Sequence, residues 1–131
     1  MTEIVSPRLV EYAQHHGIDL PSPFSGRLVV VVDDKYRVSI HVSNSSNEVL
    51  RYRLAALPSA GSQRDGVLLK VGTFAASMLS AHRASCVVDS REFSLWLQQV
   101  VQPEVSESLD ESMASFVSAI SIWVAELPRL A

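Results

Sequence analysis

Hydrophobic and polar residues alternate through the first half of the chain in the pattern of β-strands. One stretch has apolar residues at Tyr36, Val38, Ile40 and Val42 and polar residues at Arg37, Ser39 and His41. This period of two predicts a strand with one buried face. The segment Val49–Leu57 alternates in the same way, whereas Leu28–Val32 is an unbroken apolar run typical of a strand covered on both faces. Asp33 and Asp34 fit the tight turn between the first two strands.

Apolar residues at helical spacing predict a helix near each end of the chain. The first has Ser6 as its N-cap and ends at Gly17, a residue suited to the position just past a helix. The last begins at a capping box formed by Ser108 and Glu111, and Pro128 is expected to end it.

A middle helix is predicted from Val67 to Ala81, and it is apolar around most of its circumference. Its polar residues form one narrow stripe of Lys70, Thr73, Ser77 and Ser80. Such a helix is buried on more than one side. The sheet can cover one side, and a second copy of the chain is the simplest cover for the other.

Two shorter strands complete the predicted elements. They run over Ser85–Val88 and Phe93–Val101, with a polar turn between them. The order is therefore helix, three strands, helix, two strands, helix. We expect an α+β fold in which residues 1–131 form a single domain, with a twisted antiparallel sheet packed by helices and a homodimeric assembly.

Composition narrows the class of protein. The chain has 131 residues, of which 47% are hydrophobic and 19% charged, a net charge of −3 and one cysteine. Its mean hydropathy of +0.18 raises the question of a membrane segment. The longest uninterrupted aliphatic run, Leu28–Val32, is far shorter than the roughly 20 residues that span a bilayer. No secretory signal is visible, so we expect a cytoplasmic protein without membrane insertion.

The residues that carry enzyme chemistry do not form a recognisable site. His15 and His16 are adjacent, so on a helix they point about 100° apart and make a poor chelating pair. Cys86 lies in an apolar strand, where a cysteine is usually a small buried hydrophobe. Asp33 and Asp34 favour a turn over a cation site. We therefore expect no enzyme, no catalytic residues, no metal and no cofactor.

Charge is distributed unevenly along the chain. Residues 26–91 hold nine basic and five acidic side chains, and residues 92–131 hold six acidic and one basic. Arg37, Arg51 and Arg53 fall on strand faces expected to be exposed. Tyr36 and Tyr52 alternate out of phase with them and should face the core, which argues against an RNA-binding sheet with tyrosine platforms.

The order of elements, together with several local motifs, resembles the class I type III secretion chaperones of the Tir chaperone (CesT-like) family. The resemblance covers nearly the whole chain. It lies in residues 9–12 (Leu-Val-Glu-Tyr) with residues 17–18 (Gly-Ile), in the hairpin over residues 28–36, in residues 68–69 (Leu-Leu), in residues 87–89 (Val-Val-Asp) with 93–96 (Phe-Ser-Leu-Trp), and in the acidic last helix. The chain departs from the family at His82, Arg83 and Ala84, which stand where glycines are common.

The resemblance implies a dedicated bacterial cytosolic chaperone. Such proteins form homodimers, bind the N-terminal segment of a secreted effector, keep it extended and soluble, and deliver it to the secretion apparatus without hydrolysing ATP. It places the dimer interface on Val71, Phe74, Ala75, Met78, Cys86 and Val88. It places effector binding on Leu9, Tyr12, Leu28, Val30 and Val38, with Leu95 and Leu97 as a second patch. Each of these apolar residues could equally belong to the core.

Two other functions stay open at this stage. A homodimeric adaptor unrelated to secretion would have the same apolar middle helix but would bind a folded partner. A small-ligand-binding α+β domain could hold its site in the cleft between sheet and helices. The apolar segments offer few convergent polar groups for such a ligand.

Overall fold

The computed structural model describes residues 7–19, 27–42, 47–59, 61–102 and 108–130. Within these ranges the elements are α1 (Pro7–His15), β1 (Arg27–Val32), β2 (Tyr36–Val42), β3 (Glu48–Ala56), α2 (Gly61–Met78), β4 (Ser85–Asp89), β5 (Ser94–Val101) and α3 (Leu109–Leu130). The predicted α+β class and element order are confirmed. The proposed N-cap Ser6 lies outside the described residues.

The five strands form one antiparallel sheet in the order β1-β2-β3-β5-β4. A tight turn joins β1 to β2, as predicted. Asp33 and Asp34 both have φ of 55°, a left-handed conformation that aspartate tolerates, and the Lys35 amide donates to the Val32 carbonyl at 3.1 Å. Because β3 pairs with β5 and not with β4, β1 and β4 are the two edges of the sheet.

Helices cover one face of the sheet and leave the other open. The covered face carries the buried side chains of Leu28, Val30, Val38, Ile40, Leu50, Leu95 and Leu97. α3 lies against β3 and β5, and α1 and α2 pack beside it. Phe74 of α2 meets Trp123 of α3 edge to face, with ring centroids 4.7 Å apart. The core is thus a sandwich of one sheet face and three helices.

α3 is long and apolar enough to cross a membrane by length and composition alone. In this structure its apolar stripe lies against the sheet instead. Phe116, Ile120 and Trp123 are buried in the core. The helix begins as predicted, because the Glu111 amide donates to the Ser108 hydroxyl at 3.2 Å.

The end of α1 also follows the prediction. Gly17 has φ of 65°, and its amide donates to the Gln14 carbonyl while the Ile18 amide donates to the Ala13 carbonyl at 2.8 Å. This pair of bonds is the Schellman arrangement that a glycine just past a helix permits. α1 therefore ends where the sequence predicts.

Several predicted helix and strand boundaries were wrong. α2 ends at Met78, three residues before the predicted Ala81. α2 begins at Gly61, six residues before Val67, because Arg64 donates to the carbonyls of Pro58 and Ser59 at 2.9 Å and anchors an extra turn. α3 continues through Pro128 to Leu130. A proline in the last turn removes only one backbone donor, and the buried Leu130 side chain holds that turn on the core.

The predicted start of the fifth strand was also wrong. Phe93 belongs to the turn before β5, with φ of 52° and a carbonyl that accepts from the Leu57 amide at 2.6 Å. The Arg64 guanidinium lies 4.1 Å from its ring centroid. Phe93 is therefore fixed outside the strand by the first turn of α2.

Candidate binding surfaces

The open face of the sheet exposes apolar residues at the β1 edge. Val29 is 45% exposed and Val31 is 59% exposed, whereas their neighbours Leu28 and Val30 are buried. The expectation that this strand is covered on both faces was wrong, because the helices pack on one face only. Among the described strands β1 is an edge strand, and an edge beside exposed apolar side chains is a surface on which another chain can pair.

Arginines cross the middle of the same face. Arg37 on β2 and Arg53 on β3 are exposed, and Arg51, two residues before Arg53 on β3, is half-buried. The Arg51 guanidinium stacks over the Trp96 ring on β5, 4.5 Å from its centroid. Together with Lys35 and Val29, these residues line a cleft of about 390 Å³. We call this surface the arginine cleft.

The tyrosines take the opposite face, as predicted. Tyr36 and Tyr52 pack against the core, and their rings meet edge to face at 5.9 Å. Burial is the main reason that the pKa of Tyr52 is raised, and Tyr36 adds to it. The strand alternation therefore sends arginines outward and tyrosines inward.

α2 presents a second exposed surface. Leu69 is 74% exposed, and a side chain added at Gly72 would meet nothing within 4 Å. Ala76 is exposed on the same face. The Thr73 hydroxyl donates to the Leu69 carbonyl at 2.9 Å, so it needs no partner outside the helix. We call Leu69, Gly72, Thr73 and Ala76 the α2 face.

The structure divides the six predicted interface residues. Val71 is buried against the core, so within the single chain its side chain presents little surface to a second chain. Four others are half-buried within the chain: Phe74, Ala75, Met78 and Cys86. The ring of Phe74 packs against Trp123. Val88, on the β4 edge, is 49% exposed. The apolar excess of α2 is therefore shared between the core and the α2 face.

The structure places all seven predicted effector-binding residues in the core. Their exposed fractions lie between 0% and 7%, for Leu9, Tyr12, Leu28, Val30, Val38, Leu95 and Leu97. They bring α1 and the covered face of the sheet together. Side chains so enclosed offer no surface to a partner in this structure, whereas Val29 and Val31, beside Leu28 and Val30 on β1, are exposed.

A buried ion pair that the sequence did not reveal ties α1 to β3. The Arg8 guanidinium lies 3.1 Å from the Glu48 carboxylate, which is 1% exposed. Burial raises the pKa of Glu48, and Arg8 opposes that rise. Glu48 stands at the very start of β3, where the alternating pattern had not yet begun, so no periodic signal marked it.

Two groups of potentially reactive residues can also be placed. Burial raises the pKa of the Cys86 thiol to about 11, the opposite of an activated nucleophile. His16 Nε2 lies 2.6 Å from Asp110 Oδ1, and His15 is close to both. All three side chains are exposed. Their contact joins the end of α1 to the start of α3, a proximity that the sequence did not show.

These features define a small α+β domain with one sheet face covered by helices and one left open. No family model and no curated protein matches the sequence. Solved structures do match. A chain of the HopA1–SchA chaperone–effector complex aligns with 13% identity and a TM-score of 0.63, over 90% of this chain and 91% of that one.

Two further structures agree. A chain of the heterodimeric ExoU–SpcU complex from the type III secretion system of Pseudomonas aeruginosa aligns with 16% identity and a TM-score of 0.65, over 88% of this chain and 93% of that one. A chain of the ExsC–ExsE complex aligns with 12% identity and a TM-score of 0.64, over 89% and 88%. The chain has the fold of the class I type III secretion chaperones.

Proposed function

We propose that the protein is a dedicated bacterial cytosolic chaperone that binds the N-terminal segment of a type III secreted effector. It acts as a homodimer, keeps that segment extended, soluble and competent for secretion, hands it to the secretion apparatus, and hydrolyses no ATP. The observation that carries the proposal is the match of nearly the whole chain to chains from chaperone–effector and type III secretion complexes.

The β1 edge is the surface we assign to the extended effector segment. Val29 and Val31 project from the open face of this edge strand. An extended segment that pairs with β1 through main-chain hydrogen bonds would place alternate side chains over these two valines. The assignment replaces the buried Leu28 and Val30 with their exposed neighbours on the same strand.

The α2 face is the surface we assign to the dimer, together with the neighbouring β4 edge. Leu69 supplies an exposed apolar side chain, and Gly72 and Ala76 let a second helix approach closely. The hydroxyl of Thr73 is already satisfied, so burying it carries little desolvation cost. Val88 extends the apolar surface onto β4.

Two alternatives make different demands on the surface. A homodimeric adaptor would use the same α2 face but bind a folded partner. A small-ligand-binding domain needs an enclosed site, whereas the cleft between α2 and α3, lined by Leu69, Phe74 and Glu126, is open on the surface. An edge strand that no other described strand pairs favours an extended partner over either alternative.

Co-expression with the product of the neighbouring gene tests the proposed function. The chaperone should keep that protein soluble, and limited proteolysis should leave only its N-terminal segment protected. Deleting that segment should abolish the complex, and adding or removing ATP should change neither its formation nor its release. Protection of a folded distal domain instead would favour the adaptor.

A matched pair of variants tests the assigned effector surface. Val31→Asp places a charge on the open face of β1, whereas Val124→Asp places one at an exposed apolar position on α3. The first should lower the yield of the soluble complex and the second should not. Equal effects would remove the β1 edge from the binding surface.

A further inference from the structure

The arginine cleft carries positive charge that nothing in the described chain neutralises. Among the described residues no carboxylate pairs with Arg37, Arg51 or Arg53, and no acidic side chain lines the cleft. The carboxylates elsewhere in the described chain include partners for other cations, such as Glu48 for Arg8. The whole chain has a net charge of −3, so this surface is a local exception.

Arg51 is held in place before any ligand arrives. Its guanidinium lies over the Trp96 ring at 4.5 Å, and its buried Nε has no hydrogen-bond partner among the described residues. A buried donor left unpaired is costly and gains most from an acceptor. Because the stacking on Trp96 limits how the side chain can turn, the guanidinium loses little further freedom when it pairs.

The register of the sheet sets the spacing of the cations. Arg51 and Arg53 are two residues apart on β3, so their side chains leave the same face about 6.6 Å apart. Arg37 lies on the adjacent β2, which pairs with β3 through Ser39 and Arg51. An extended peptide with carboxylates at alternate positions repeats the same spacing of about 6.6 Å.

We propose that the arginine cleft binds an acidic stretch of an extended peptide, with carboxylates at alternating positions. The guanidinium of Arg51 donates to one carboxylate and that of Arg53 to the next, while intervening side chains cross toward Val29. This peptide is part of the effector segment that continues from the β1 edge, and the proposal therefore rests on the proposed function. The cleft thus adds a charge requirement to the choice of effector.

The observations favour a peptide over a nucleic acid. Two aromatic residues, Trp96 and Tyr52, line the cleft. Arg51 already covers the Trp96 ring, and Tyr52 packs against the core. Single-stranded nucleic acid binds to aromatic rings on which its bases stack, and the Trp96 ring is already covered by Arg51. The narrow sheet face with alternating cations instead fits paired carboxylates, which arginine binds through its planar fork.

Fluorescence anisotropy with a fluorescein-labelled peptide of six Glu-Thr repeats provides the test. The controls are a peptide of six Lys-Thr repeats and a twelve-nucleotide oligouridylate. The acidic peptide should bind and the other two should not, and its affinity should fall as salt rises. Substituting Arg51→Gln and Arg53→Gln together should weaken binding about tenfold or more, because charge-assisted hydrogen bonds are lost.

A second pair of substitutions controls for net charge. Arg91→Gln with Arg129→Gln removes the same charge from exposed positions outside the cleft and should leave the affinity for the acidic peptide unchanged. Equal weakening by both pairs, tighter binding of the oligouridylate, or no binding of the acidic peptide would each overturn the proposal. Thermal unfolding of both pairs checks that the fold is retained.

The outcome can be separated from that of the proposed function. If co-expression yields the effector complex and the Arg51 and Arg53 variant forms it equally well, the cleft proposal fails and the chaperone proposal stands. If the acidic peptide binds as expected but no effector segment is protected in co-expression, the cleft survives as a peptide site and the chaperone proposal fails.

Discussion

The substitution Leu69→Asp is the sharpest test of the proposed homodimer. In one chain Leu69 is 74% exposed, so replacing it should leave the fold intact. Phe74, in contrast, packs on Trp123, and its substitution would damage the core as well as any interface. A change in assembly caused by Leu69→Asp can therefore be attributed to the surface.

The exposed area of Leu69 sets the expected magnitude. Complete burial of a leucine is worth about 1.5–3 kcal/mol, so covering the three-quarters now exposed contributes about 1–2 kcal/mol per chain. A twofold dimer contains the contact twice, giving about 2–4 kcal/mol. At about 1.4 kcal/mol per decade, the dissociation constant should rise at least about 30-fold. The charge of an unpaired aspartate in the interface adds to this loss.

Sedimentation equilibrium over a concentration series measures the dissociation constant directly. The wild-type protein should have the mass of two chains at micromolar concentration, and the Leu69→Asp variant the mass of one. Val124→Asp, an equally drastic change at an exposed position on α3, serves as the control and should remain dimeric. A monomeric wild type would refute the dimer, and an unchanged dimer in the Leu69→Asp variant would remove the α2 face from it.

Three further outcomes follow from individual residues. Because burial raises the pKa of Cys86 to about 11 from 9.0, alkylation at pH 8 should be about 100-fold slower than for an ordinary cysteine, and a normal rate would contradict its burial. Burial first, and nearby arginines including Arg51, lower the pKa of His41 below 6.5. The contribution of His41 to stability is therefore complete above pH 6.5 and is lost as the pH falls. Arg51→Gln should raise the pKa of His41 in an NMR titration. An unchanged pKa would show that the charge of Arg51 does not act on His41. Ser108→Ala removes the N-cap bond to Glu111 and should lower the free energy of unfolding in urea by about 1 kcal/mol, whereas no loss would show the cap to be dispensable.

Elements with a local chemical signature were predicted closely. The alternation between Tyr36 and Val42 matches β2 to the residue, and the glycine at position 17 and the serine at 108 mark helix boundaries that the structure confirms. In each case the signal lies within a few residues of the element. Local propensity and capping are enough when the neighbouring chain supplies the partners.

Boundaries that depend on tertiary contacts could not be predicted from periodicity. The first turn of α2 is polar and contains two glycines, and it is held by Arg64 binding to the preceding backbone. α3 passes through Pro128 because Leu130 is buried against the core. Neither contact leaves a repeating pattern in the sequence, so both segments looked like breaks.

The binding surfaces show a different limit. Alternation separates Leu28 and Val30 from Val29 and Val31, but all four are aliphatic, so the pattern cannot say which pair meets the helices. The two effector-binding residues predicted on β1, Leu28 and Val30, are the pair that the core uses. In β2 and β3 the arginines mark the open face, and the prediction that Arg37 and Arg53 are exposed while Tyr36 and Tyr52 face the core is confirmed.

The strand order keeps the proposed dimer and effector surfaces apart. β1 and β4 are the opposite edges of a five-stranded sheet, four inter-strand spacings or roughly 19 Å from each other. The proposed dimer uses the α2 face and the β4 edge, while the arginine cleft lies between β1 and β5 on the face that the helices leave open. A dimer formed through α2 and β4 therefore leaves both copies of the β1 edge and of the cleft free. One long effector segment can then bind the equivalent sites of both chains at once. Its overall affinity rises because the two sites are linked through the dimer, without any new contact at either site.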